Sequence, residues 1–185
     1  CEYAPRSKIE QELFAHLKGR FGSKARVSVE RIACGIGVVN VYKFLAEKFP
    51  EQINAKVHDN ISAMKEAAGP LISRGAGVPD SLCEQAMRIF ASSYGAECGN
   101  VALKWLPYGG IYVIGGLTPK NLRFIRGYNS PFMQAFRDKG RLSNTVKDFP
   151  VRAVMGDDLG ERGSHLLACR MLRAYIEAES TARGA

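Results

Sequence analysis

Apolar residues recur at helical spacing along most of this chain. Ile9, Leu13 and Leu17 form a first stripe behind the S-x-x-E capping box of Ser7 and Glu10. Gly19 and Gly22 are expected to stop that helix. Val38, Val41, Tyr42 and Leu45 form a second stripe, ended by Pro50. Residues 51–78 are less regular: Ala63 to Ala68 reads as a helical piece, and Gly69, Pro70, Gly75 and Gly77 read as breaks. The longest pattern starts at Pro79 and Asp80, places Leu82, Ala86, Ile89, Phe90, Ser93 and Tyr94 on one face, and runs to Leu106. Gly95 and Gly99 sit inside it. Each costs roughly 1 kcal/mol against alanine in a helix, so close packing against a neighbour is expected there.

The period then changes. Ile111 to Ile114, between Gly109-Gly110 and Gly115-Gly116, reads as a short buried strand. Thr118 and Pro119 look like an N-cap and first-turn pair for a helix carrying Leu122 and Ile125, and Ser130-Pro131 repeats the signal for Phe132 to Lys139. Val151 to Met155 is a second strand. The loop Gly156 to Gly163 leads into a last helix with Leu166, Leu167, Cys169, Leu172 and Ile176. Strand, helix, strand, helix implies α/β architecture with parallel pairing. Two strands alone make a poor sheet, so further strands are expected to be missing.

Composition narrows the classes. With 185 residues, 46% hydrophobic and 24% charged, the chain has the make-up of a folded globular domain. No apolar run approaches the roughly 20 residues of a membrane span, and no basic segment followed by an apolar stretch marks a signal peptide. The five cysteines are odd in number and never spaced C-x-x-C. Neither a disulfide framework nor a zinc site is expected, and reduced thiols point to the cytoplasm. The net charge of +8 is scattered without a Lys/Arg block, so a surface tolerant of anionic substrates is expected rather than a nucleic-acid partner.

Three segments could carry chemistry. Ligands of α/β sheets bind beyond the carboxyl ends of strands, where glycines admit a ligand to the backbone and a helix N-terminus offers free N–H groups. Gly115-Gly116-Leu117-Thr118 has that form, although a plain tight turn has it too. The acidic residues of Gly156 to Gly163 suit the start of a helix and lack metal-site spacing. Glu30, beside Cys34, Gly35 and Gly37, reads on its own as a surface carboxylate.

Several longer motifs, in one order, resemble the bacterial-type glucokinase family. Val27 to Tyr42, V-S-V-E-R-I-A-C-G-I-G-V-V-N-V-Y, is similar to its S-x-E-R-x-x-S-G-x-G-x-x-N-x-Y signature. Gly99 to Leu103 (G-N-V-A-L), Gly109 to Pro119 (G-G-I-Y-V-I-G-G-L-T-P), Phe136 to Arg141 (F-R-D-K-G-R) and Leu159 to Ser164 (L-G-E-R-G-S) resemble further family segments. The resemblance covers nearly the whole chain. It implies a partial ribonuclease H-like, actin-like ATPase domain: helix-rich, with a few parallel strands and without its first strands. Residues 1–185 would form the C-terminal part of the large domain, and the small N-terminal domain would be absent from the chain.

The resemblance also implies an activity, phosphorylation of glucose to glucose 6-phosphate with ATP and Mg²⁺, and roles for particular positions. Glu30 would accept hydrogen bonds from sugar hydroxyls. Gly115 and Gly116 would let the backbone pass the nucleotide, with Leu117, Thr118 and Asn121 beside it. Cys34 stands in place of a serine, Ile36 in place of a proline, and Glu161-Arg162 in place of two apolar residues. The family's D-x-G-G-T, its Asn-Asp pair with the aspartate base, its G-x-G-T-G loop and its E-G-G-H are not found, and Cys1 to Pro5 resembles the family segment directly after E-G-G-H. The base and most of the Mg²⁺ site would then come from a missing N-terminal half or another chain, and a homo-oligomer is expected. The alternative is a glucokinase-like fragment acting as a non-catalytic binding or structural subunit.

Overall fold

The computed structural model describes residues 1–22, 26–156 and 158–183, with side chains to residue 180. Helix α1 (Lys8–Phe21) begins where the capping box places it. Ser7 Oγ accepts the Glu10 N–H at 3.3 Å, while the Glu10 carboxylate accepts from the Arg6 backbone N–H at 2.8 Å and its guanidinium at 3.0 Å. The helix continues through Gly19 and stops only at Gly22, where φ is 99°. The N-terminal segment runs antiparallel to residues 27–29, with the Tyr3 N–H donating to Val27 O at 2.8 Å.

Helix α2 (Gly35–Lys48) is sunk in the core, with Val38, Val39, Val41, Tyr42 and Leu45 all buried. The expected helical piece at 63–68 is displaced. Helix α3 spans Ala55–Met64, a 3₁₀ stretch covers Lys65–Ala68, and α4 spans Gly69–Gly75. The break lies at Lys65, with φ of 49°. Gly69 and Pro70 open a helix instead of ending one, since a first-turn proline gives up an N–H that has no intrahelical partner.

Helix α5 (Leu82–Trp105) is capped by Ser81, whose Oγ accepts from Glu84 N–H at 3.2 Å. It starts after Asp80 because that residue has φ of 58°. Strand β1 (Ile111–Val113) comes next. Helices α6 (Leu117–Lys120), α7 (Leu122–Ile125), α8 (Pro131–Arg137) and α9 (Ser143–Val146) make the crossover to β2 (Val151–Ala153), and α10 spans Leu159–Arg183. Strands β1 and β2 pair in parallel with Ile111 opposite Val151 and Val113 opposite Ala153, as expected though shorter.

Helices α5 and α8 meet backbone to backbone. A Cβ on Gly95 would overlap the carbonyl of Phe132, and one on Gly99 would overlap that of Phe136. The rings of Phe132 and Phe136 are fully buried beside the seam, and Lys139 Nζ closes it with a bond to Ala96 O at 2.9 Å. Helix α10 is the opposite case. Its Leu159, Leu167, Met171, Leu172 and Tyr175 are 38–65% exposed, and they form an apolar surface that no described residue covers.

Candidate functional site

The turn after β1 is built so that one glycine serves the fold and the next does not. Gly115 has φ of 99°, a region that side chains rarely enter. Gly116 has φ of −62° and caps α6, and a Cβ there would meet nothing within 4 Å. Thr118 is not the N-cap expected from the sequence. It is buried inside α6, its hydroxyl donating to Ile114 O at 3.3 Å. That hydroxyl also faces Tyr94: burial, with Cys98 nearby, raises the Tyr94 phenol, and Thr118 pulls it partly back. Asn121, 2% exposed, donates to Leu117 O at 2.9 Å and accepts from Ser73 Oγ at 2.6 Å, tying α4 to the turn.

In front of the turn lies a hollow of about 770 Å³, within the range of small-ligand sites. Gly35 and Val38 of α2, Gly69, Pro70 and Ser73 of α4, and Met87 of α5 face Gly116, Leu117 and Asn121 across it, with Arg74 and Lys120 also in its lining. Three of the expected nucleotide-site residues, Gly116, Leu117 and Asn121, therefore share one wall. Gly115 and Thr118 shape the turn without lining the hollow. The α4 wall is not expected from the sequence, where Gly69-Pro70 reads as a break. The signal that could have found it is the proline in a first-turn position.

Glu30 stands apart from this group, exposed on a 3₁₀ turn, Val29–Arg31. Its N–H donates to Ser28 Oγ at 3.2 Å, and its carbonyl accepts from Cys34 Sγ at 2.8 Å. Cys34 Sγ in turn accepts the Gly37 N–H at 3.3 Å and so caps α2. The thiol standing in place of serine thus does a capping side chain's work, and it couples the Glu30 turn to Gly35 on the edge of the hollow. Gly37 has no room for a side chain, since a Cβ would overlap Ile32 O. Among the described residues no cation pairs with the Glu30 carboxylate. Arg31 instead lies over the Phe21 ring, 4.1 Å from its centroid.

In the loop before α10, Asp157 lies outside the described residues. Asp158 accepts from Arg162 Nε at 2.7 Å, so its charge serves the start of the helix. Among the described residues no group of three or more His, Cys, Asp or Glu could hold a metal ion, and no helix is long and apolar enough to cross a membrane.

A family model described as glucokinase matches residues 1–171. The chain belongs to the glucokinase family. It is 36% identical over 179 residues to a glucokinase of Synechocystis, covering 91% of this chain and 50% of that protein. It is 31% identical over 166 residues to a glucokinase of Shigella sonnei, covering 88% and 46%. A crystal structure of glucokinase from an Antarctic psychrotroph superposes with a TM-score of 0.60 at 23% identity, over 85% of this chain and 44% of that one, and supports the partial actin-like ATPase fold. The chain spans about half the length of the curated glucokinases it matches.

Proposed function

We propose that this chain is the C-terminal part of an enzyme that transfers the γ-phosphate of ATP to glucose. The carrying observation is that Gly116, Leu117 and Asn121 wall a hollow of nucleotide-ligand size in a chain of the glucokinase family. Within the proposal, the nucleotide lies against Gly116, where the open space beside the backbone is filled by ligand instead of side chain. Glu30 takes the sugar. Its carboxylate has no cation partner among the described residues and sits on a turn fixed by Ser28 and Cys34, so it is free to accept sugar hydroxyls. Charge-assisted bonds of that kind contribute about 1.5–3 kcal/mol each.

Phosphoryl transfer needs positioning, neutralised phosphate charge and a base for the attacking hydroxyl. No carboxylate is among the residues that line the hollow. The aspartate base and the metal ligands are assigned to the portion of the relatives that this chain does not span. That portion is also assigned the cover over α10 and the sheet edges. A coupled assay for glucose 6-phosphate tests the reading. Turnover is expected from the longer protein containing this chain and none from the 185 residues alone. An inactive longer protein would overturn the activity, and an active isolated chain would overturn the division of labour.

A further inference from the structure

The rim of the hollow carries two cations that the fold does not use. Arg74, on α4, and Lys120, at the end of α6, are both exposed and both line the hollow. Among the described residues neither has an ion-pair or side-chain hydrogen-bond partner. The contrast with Arg123 is direct: that guanidinium donates to Ser73 O at 2.8 Å and lies over the Phe124 ring, so it has structural work. The elements that carry Arg74 and Lys120 are also tied to each other. The chain neighbours of these two residues, Ser73 and Asn121, share the 2.6 Å bond that ties α4 to the turn. Two cations without partners among the described residues thereby stem from either side of one bond, on the rim of a hollow whose lining is apolar at Val38, Pro70, Met87 and Leu117.

We infer that Arg74 and Lys120 select the ligand of this hollow by charge, recognising the polyphosphate of a nucleotide while the apolar wall takes its base. This rests on the nucleotide reading of the hollow and adds the groups that make the site prefer a polyanion to a neutral nucleoside. No carboxylate lines the hollow to cancel the two charges, and unscreened cations at a cleft mouth raise the local concentration of an anionic ligand.

The test is calorimetric binding of ATP and of adenosine to the longer protein containing this chain and to its R74Q/K120Q variant. The Kd for ATP is expected to rise about tenfold in the variant, while the Kd for adenosine stays within about twofold. Arg74→Lys, which keeps the charge, should retain most of the ATP affinity, and added salt should weaken ATP binding more in the wild type than in the variant. Both side chains are exposed, so thermal melting should show the variants folded. A variant that binds ATP as the wild type does would overturn the inference and leave the nucleotide reading intact. Equal losses for ATP and adenosine would overturn the charge role. A wild-type longer protein that binds neither ligand would overturn the nucleotide reading itself.

Discussion

The α5–α8 seam and the turn after β1 both depend on glycines, for opposite reasons. At Gly95 and Gly99 the missing side chain is replaced by the backbone of the facing helix, so the glycine is consumed by the fold. At Gly116 nothing replaces it. The space is open and the backbone dihedral is ordinary, so the fold itself would admit a side chain there. A glycine that a fold has already used is silent about function. One that the fold leaves unused, as at Gly116 on the wall of the hollow, is open to a role in binding.

Substitutions can break or sharpen that contrast. The largest effect is expected from Gly95→Val, where overlap with the Phe132 carbonyl has no flexible side chain to absorb it. A loss of at least ~3 kcal/mol, or about 10 °C in Tm, should appear in thermal denaturation, and an unchanged melt would show that the seam gives way. Gly116→Val should leave Tm within about 2 °C yet weaken ATP binding about 100-fold in the longer enzyme, with glucose affinity nearly intact. Equal losses for both substrates would return Gly116 to the structural class.

Glu30→Gln keeps the size and removes the charge. It should lower kcat/KM for glucose roughly 10- to 100-fold and barely move ATP affinity measured without sugar. A value within about twofold of the wild type would mark Glu30 as surface. The smallest effect belongs to the seam's own flank. Burial pushes the Cys98 thiol from 9.0 up to about 12. Because the folded value is the raised one, the stability that the protonated thiol contributes is complete below about pH 9 and declines as pH climbs from there towards about 12. The loss in urea stability between pH 8 and pH 10 should therefore shrink in Cys98→Ala, by about 1 kcal/mol. An identical loss in both proteins would show that the thiol is hydrated.

Much of this is legible in sequence because it is written in local chemistry. Ser7 and Ser130 cap the helices they precede, with Ser130 Oγ accepting the Met133 N–H at 3.2 Å, and Gly95 and Gly99 announce close packing by their cost. Strand β1 is legible from its β-rich run between the pairs Gly109-Gly110 and Gly115-Gly116, and β2 from the change of period after Pro150. What escapes depends on context. Gly69-Pro70 looks the same whether it closes a helix or opens one, and only the positive φ at Lys65 moves the break upstream. Thr118 looks like an N-cap because its hydroxyl and the following proline fit that role, but the helix starts at Leu117 and the hydroxyl turns back to Ile114. Resemblance marks Gly116, Leu117 and Asn121 in sequence, yet neither their shared wall nor the facing wall from α4 can be read there, since long-range packing assembles the hollow.

Helix α10 can also be considered from the standpoint of the cell's quality control. Leu167, Met171, Leu172 and Tyr175 present in water the kind of surface that chaperones bind and that proteases reach through opened chains. Left uncovered, such a face would mark a chain as unfinished to that machinery however well its core had formed.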